Sequence, residues 1–347
     1  MHEYWDKQPV PREDTTPGEI EKTRDVSKKT TKLPDGFVWS SCSLKEACEF
    51  LNSHYVSDGV FRLCHTVEAL KWSMDEYAVI RKKDTNQIIG YITSSNIDTN
   101  VDTNMLKMVH ISFLCVHGEY RKFGFAPILI SEIKRRANKK DVWQAIYTVH
   151  TKLPTPITKS YMWHRHLNTE ALIKNKFCQV DRTRKNFYQI RGSCKNVWRK
   201  MTSEDIPRVT KILQEYNEKF RIAPVINEEY VKRRVLPIYS FVNDENDDFI
   251  SFYAAPYERI DGLGTVEQVY RYYVVGDVYD DAFIIAKNLG YHIFNSPEVG
   301  MTVESLEKLK FMKGNYVYYY MFNWHLKEMI EPKEINLIIP WFWLKWT

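Results

Sequence analysis

No run of apolar residues in this 347-residue chain is long enough to cross a bilayer. The nearest approach, residues 335–346, is short and interrupted by Pro340 and Lys345. Met1–Val10 is polar and charged, which argues against a signal peptide. The chain also lacks any C-x-x-C pair. Cys42, Cys48, Cys64, Cys115, Cys178 and Cys194 are scattered, so neither a zinc site nor a redox motif is expected. They read as free thiols in a reducing, cytoplasmic compartment. A strong charge of either sign is missing too. The net charge of +5 permits a basic pocket for phosphates but does not argue for a nucleic-acid groove.

What the chain has in quantity is aromatic residues, 14% of the total with 22 tyrosines. Such a supply suits a cleft for something extended and partly apolar, although aromatics more often fill cores. The length indicates one large domain or two packed ones. Residues 11–32, rich in Thr, Lys and Glu, read as a surface arm. Leu44–Tyr55 carries a helical apolar stripe with Ser43 as N-cap. Residues 77–81 and 87–93 read as strands about a turn at Lys83–Asn86, and Met108–Val116 as a long apolar strand. An amphipathic helix is expected over Pro127–Lys139 and a strand over Val142–His150, followed by a His/Trp-rich loop at 161–168. After about residue 195 the pattern restarts. A helix runs from 201 to about 220, and strands follow at 238–243, 248–254 and 268–275. A helix at Val278–Leu289 leads to strands at Tyr291–Asn295 and Tyr316–Trp324, with a helix at Val303–Phe311 between them. Similar order in the two halves suggests a structural pseudo-repeat.

The chemistry concentrates between His110 and Pro127. An apolar strand ends at Val116-His117, a loop with Arg121, Lys122 and Gly124 follows, and a helix then begins at Phe125-Ala126-Pro127. The first N–H groups of a helix lack internal partners and sit at the positive end of its dipole, so such a junction holds anions. Gly124 lets the backbone approach a phosphate closely. The spacing Arg-x-x-Gly-x-Ala resembles the coenzyme A pyrophosphate loop of the GNAT superfamily. An ordinary strand–loop–helix connection is the alternative.

Longer strings carry a more specific resemblance. They are Tyr4-Trp5-Asp6-Lys7-Gln8-Pro9-Val10-Pro11, Leu33-Pro34-Asp35-Gly36-Phe37-Val38-Trp39, Phe113-Leu114-Cys115-Val116-His117 and Tyr147-Thr148. Leu153-Pro154-x-Pro156 leads into Trp163-His164-Arg165-His166-Leu167-Asn168. Ser251-Phe252-Tyr253, Phe294-Asn295, Leu306–Phe311 and Asn323-Trp324 follow. In order and spacing the chain resembles N-myristoyltransferases over nearly its whole length.

The resemblance implies an α/β fold, a saddle-shaped mixed sheet with surrounding helices, built of two GNAT-like halves related by a pseudo-twofold. Residues 1–195 would hold the acyl-CoA and 196–347 the peptide. It also implies transfer of a myristoyl group from myristoyl-CoA, a substrate and not a resident cofactor, to a protein's N-terminal glycine amine. A monomer without metal is expected. Tyr4 and Trp5 match residues that cover the coenzyme, with Arg121, Lys122, Gly124, Phe125, Ala126 and Pro127 around its phosphates. Phe113 and Leu114 match the pair whose backbone N–H groups form the oxyanion hole, and Cys115 and Val116 continue that string. Thr148 matches a residue near the glycine amine. Tyr55, Val56, Asp58, Phe61, Arg62, His164 and Tyr253 match the peptide groove. Attack on the thioester is direct, so Cys115 is not expected to be a nucleophile.

Several positions depart from the family pattern. His110-Ile111-Ser112 stands where the family has Glu-x-Asn, Phe123 and Gly124 where it often has basic residues, and Val149-His150 where it has Ala-Gly. The acidic loop before Phe61-Arg62 is shortened and keeps only Asp58. Family chains stop near the position of Pro340 and use their own terminal carboxylate as base. This sequence continues through Trp341–Thr347, so that role would fall to Thr347, with His150 and His110 as conceivable substitutes. The aromatic tail also resembles a membrane-interface segment, for which packing on the protein's own surface is the favoured reading. Two other functions fit these departures: a degenerate module that binds acyl-CoA or lipopeptide without transfer, and a transferase with another acyl length or a lysine acceptor. Turnover on glycine-terminal against internal-lysine peptides separates the three.

Overall fold

The computed structural model describes residues 3–55, 57–178 and 187–338. Its frame is one twelve-stranded sheet. In the first half of the chain the strands are β1 (Phe37–Ser40), β2 (Glu76–Lys82), β3 (Ile88–Asn96), β4 (Met108–Val116), β5 (Gln144–Val149) and β6 (Thr158–His166). In the second half they are β7 (Trp198–Lys200), β8 (Tyr239–Asn243), β9 (Phe249–Ala254), β10 (Gln268–Val275), β11 (Ile293–Pro297) and β12 (Met312–Phe322).

Across the sheet the order is β7-β8-β9-β10-β11-β6-β12-β5-β4-β3-β2-β1. Exchanging each strand with its counterpart six places on reverses this order into itself. β6 therefore lies among strands of the second half, and β12 among strands of the first. The parallel pairs obey the same symmetry: β4 with β5 over Met108–His110, and β10 with β11 over Gln268–Tyr270. The mixed sheet, the two related halves and the flanking helices are those expected of the family.

The main helices are α1 (Leu44–His54), α2 (Val67–Ser73), α3 (Phe125–Asn138), α4 (Ile206–Asn217) and α5 (Tyr279–Asn288). Ser43 caps α1 through a reciprocal box with Glu46, as its sequence announces. One face of the sheet carries the large core that includes Leu51, Leu70, Phe113, Val209 and Tyr319, to which α1, α2 and α4 contribute. On the other face α3 packs over the first half, with Leu129 and Ile133 against Ile80 and Ile92. There α5 covers the second half, with Phe283 against Phe294 and Phe311. The arm pairs Gly18–Glu19 with Trp324–His325, and the Thr31 N–H donates to buried Glu132 of α3 at 3.0 Å. Among the described residues no helix is long and apolar enough to cross a membrane.

Two expectations are corrected. Residues 161–166 are not loop but the end of β6, paired on both sides with β11 and β12. Their polar residues conceal a central strand because several find partners there: His164 on Asn295, and Arg165 on the carbonyls of His166 and Tyr188. α3 begins at Phe125 and not at Pro127, because Gly124 adopts the left-handed conformation (φ 79°) from which the helix starts. Pro127 then falls in the first turn, where no intrahelical donor is needed.

Candidate active site

The site grows from a fault in β4. Tyr91 of β3 lies opposite Cys115 and Thr93 opposite Ser112, so Ile92 faces two residues, Phe113 and Leu114. The bulge interrupts the alternation of the strand. Val109, Ile111 and Leu114 look toward α3, whereas Phe113 turns its ring to the opposite face, 5.6 Å from His65 and 6.4 Å from Tyr55. Phe113 has φ 51°, a conformation that costs a β-carbon residue about 1–3 kcal/mol and gathers at functional sites. Beyond His110 and Ile146 the parallel pairing of β4 and β5 ends, and the sheet opens beside the bulge. Ser112 and Thr93 join their hydroxyls at 2.8 Å there, while the Thr93 hydroxyl also reaches the Ser112 carbonyl at 3.1 Å.

On the α3 side the opening leads into an apolar cavity, partly open to solvent. Small and aliphatic residues make the room: Val109, Ile111 and Leu114 of β4, Ile130, Ile133 and Ala137 of α3, and Ala145 of β5. Trp5 and Phe322 complete the lining. Tyr4 meets Trp5 edge to face at 5.1 Å and bonds Ser131 of α3 at 3.1 Å, so the N-terminal turn straps the cavity. The apolar lining suits a long alkyl chain.

At the far end of β4 the loop 117–124 leads into α3. Lys122 (φ 70°) and Gly124 (φ 79°) both turn left-handed before the N-terminus of α3, with Ala126 and Pro127 in its first turn. Phe125 is buried and anchors that turn. The Arg121 guanidinium donates to the carbonyls of His54, at 2.6 Å, and Val116, at 3.3 Å. It thus ties the end of α1 to the end of β4. Beside it the rings of His54 and His117 lie 4.0 Å apart, a pair that the sequence reading passed over although His117 stood in the motif. Burial, then the neighbouring His117 and Arg121, lower the His54 pKa.

The residues expected to line a peptide groove are spread over several elements. Thr148 of β5 is half-buried, pairs with Tyr319 of β12 and shares the face of Ile146. Asp58 accepts from the N–H groups of Val60 at 2.8 Å and Phe61 at 2.6 Å, while Arg62 holds Glu258 at 3.2 Å and the Asn52 carbonyl at 3.0 Å. Phe61 is core. Tyr253 stacks on Tyr270 at 5.4 Å and meets Trp72 at 5.0 Å. His164 bonds Asn295 through Nδ1 at 2.7 Å, and Asn295 donates to Gln268 at 2.8 Å. A β-carbon at Gly314 would overlap the His164 ring, so glycine is needed there. Asn295 stood in a matching string, yet only the structure gives it a contact. Val56, Thr347 and the tail 341–347 lie outside the described residues.

Electrostatics narrows the roles. Burial pushes the Cys115 thiol up to about 12, which makes it inert as a nucleophile. Burial, with Arg234 nearby, holds His110 at about 3, far too weak a base for an amine near neutrality. His150 bonds the Tyr316 carbonyl through Nδ1 at 2.9 Å and stacks on the Tyr316 ring. Among the described residues no group of three His, Cys, Asp or Glu side chains is placed to hold a metal.

This arrangement has close parallels. The family model described as "Myristoyl-CoA:protein N-myristoyltransferase, N-terminal domain" matches residues 18–160, and its C-terminal counterpart matches 175–338. Glycylpeptide N-tetradecanoyltransferase 2 of Danio rerio is 32% identical over 97% of this chain and 77% of its own length. Glycylpeptide N-tetradecanoyltransferase 1 of Arabidopsis thaliana is 30% identical over 97% of this chain and 89% of its own. A crystal structure of Saccharomyces cerevisiae N-myristoyltransferase with bound myristoyl-CoA superposes with a TM-score of 0.85 at 26% identity, covering 94% of this chain and 93% of that one. With nearly the whole length matched in sequence and in fold, the chain belongs to the myristoyl-CoA:protein N-myristoyltransferase family.

Proposed function

We propose that this enzyme transfers the myristoyl group of myristoyl-CoA to the N-terminal glycine amine of an acceptor protein. The observation that carries the reading is the left-handed bulge at Phe113, which stands beside an apolar cavity on one face of the sheet and turns the Phe113 ring to the other.

The amine lone pair attacks the thioester carbonyl carbon, and the carbonyl electrons move onto oxygen. The backbone N–H groups of Phe113 and Leu114 serve as donors to that oxyanion, a contribution of about a hundredfold or more per donor. Collapse re-forms the carbonyl, breaks the C–S bond and releases coenzyme A thiolate. The nitrogen loses one proton overall. A free α-amine has a pKa of about 7.7–8.0, so a fraction is already neutral near pH 7. Thr148 and the Ser112 hydroxyl lie on the amine's side of the bulge, and the carboxylate of Thr347 is the base in this reading. Arg121, with its guanidinium on backbone carbonyls, shapes the phosphate loop. Lys122, Gly124 and the first turn of α3 meet the phosphates directly.

The asymmetry of the halves supports acyl-CoA in 1–195 and acceptor binding across 196–347. The counterpart of α3 is α5, whose first turn carries Asp280 and Asp281. Asp281 already accepts from the N–H groups of Lys195 and Asn196 and from Trp198. Phe252, Phe283, Phe294 and Phe311 fill the space beneath it. The bulge of β10 carries no residue of positive φ. A second acyl-CoA site is thus filled and negatively charged. Six free cysteines support a reducing, cytoplasmic location, and a monomer is the working form.

The test is thiol release from myristoyl-CoA by the full chain and by a form ending at Pro340. Release is expected with glycine-terminal peptides only, and at least tenfold slower without residues 341–347. Equal rates with N-acetylated peptides would sink the transferase reading. Equal rates in the shortened form would remove Thr347 as base.

A further inference from the structure

A small antiparallel sheet outside the main one joins Phe61–Leu63 to Tyr257–Arg259 and Thr265–Val266. Its tip is unusual for a surface hairpin. Val60 is 50% exposed, Ile260 46% and Leu263 75%. The two loops are held together, since the Ile260 N–H donates to the Val60 carbonyl at 2.9 Å. The three aliphatic side chains therefore belong to one surface.

The charges around them are already matched. Asp58 is occupied by two backbone N–H groups of its own turn. Glu258 holds Arg62, and Asp261 holds Arg259 at 2.9 Å through Nε. Arg62 and Arg259 also donate to the carbonyls of Asn52 and Asn175. Lys176 adds a positive charge toward Asp261. Asp58, Glu258 and Asp261 are thus all committed before any lysine or arginine of an acceptor arrives.

The tip is continuous with the reaction centre. Tyr55 and His65, which flank the Phe113 ring, stand at either end of the segment that bends through Val60. His65 is five positions from Val60, about 16 Å of extended chain. A peptide leaving the bulge along this segment reaches the tip about five residues after its first.

We propose that Val60, Ile260 and Leu263 form an apolar rim that selects aliphatic side chains in the acceptor, about five to seven residues beyond its terminal glycine. The inference rests on the transferase reading above. It makes this rim a specificity element distinct from the groove nearer the bulge. Burial of one aliphatic side chain between the loops corresponds to about a tenfold gain in affinity.

The test uses the full chain saturated with a non-transferable myristoyl-CoA analogue and three fluorescent glycine peptides: a tetrapeptide, and two nonapeptides that extend it with either Leu/Val or Lys at positions six to eight. Kd is read by anisotropy, and kcat and KM by thiol release with myristoyl-CoA. The aliphatic nonapeptide is expected to bind about tenfold more tightly than the lysine one. In Val60→Asp and Leu263→Asp that preference falls to twofold or less, while the tetrapeptide keeps its Kd and kcat. Equal Kd for the two nonapeptides, or a preference unmoved by both variants, overturns the rim. So does binding of neutral lipid vesicles that the two variants abolish without changing either Kd. Absence of turnover with the Kd pattern intact would instead fault the transferase reading and leave the rim standing.

Discussion

Glu132 shows how much one side chain organises here. Its carboxylate is fully buried on α3 and accepts from Arg135, Arg136 and the Thr31 N–H. Burial pushes its pKa up, but Arg135, the Thr31 N–H and Arg136 outweigh that and hold it at about 2. The folded value lies below the unfolded one of about 4.3. Its stabilising contribution is therefore complete above about pH 4.3 and is lost as the pH falls toward 2. Glu132→Gln leaves two guanidinium groups without their shared anion, and a cost of about 3 kcal/mol is expected. Urea unfolding at pH 7 and pH 3 checks both parts: the variant should be weaker at pH 7, and the gap should narrow at pH 3. A gap of equal size at both would mean that the charge is not what matters.

Among the elements, the junction of β4 with α3 was the most legible in sequence. An apolar run, a glycine in a basic loop and an early proline each leave a local mark. The αL turn at Gly124 makes a strong expectation: alanine there costs about 1–2 kcal/mol in backbone energy without closing any cavity, since open space surrounds the position. Gly124→Ala should raise the KM for myristoyl-CoA about tenfold and leave the KM for the acceptor peptide within twofold. Steady-state kinetics with each substrate varied decides it, and a rise in the peptide KM alone would count against this loop as the phosphate site. β6 was illegible for the opposite reason. Tyr161, Trp163, His164, Arg165 and His166 break every apolar pattern, because their partners come from β11 and β12, more than a hundred residues away. The bulge at Phe113 is equally silent, since nothing in Ser-Phe-Leu-Cys marks which residue will turn to positive φ. The pairing of the Phe113 string with a family supplied what local pattern did not.

At the scale of the molecule the two halves cannot be separated. β12 lies between β5 and β6, and β6 lies between β11 and β12, so a fragment comprising 1–195 would lose the pairing on one side of β5 and on both sides of β6. It would expose one edge of β5 and both edges of β6, an invitation to aggregate. We expect the fragment 1–195 to be insoluble or unfolded alone, and mixing it with 196–347 during refolding to restore acyl-CoA binding. Circular dichroism and size-exclusion chromatography are sufficient. A soluble, helical, acyl-CoA-binding 1–195 monomer would contradict the interlock.

The palindromic strand order also speaks of ancestry. Two identical six-stranded subunits, each lending its last strand to the sheet of the other, would give the same order as a symmetric dimer. Joining the end of one subunit to the start of the next, where β6 now runs on toward β7, turns that dimer into a single gene product. Such a fusion inherits two equivalent sites and needs only one. The spare copy is then free to lose its cavity to phenylalanines and its anion site to aspartates.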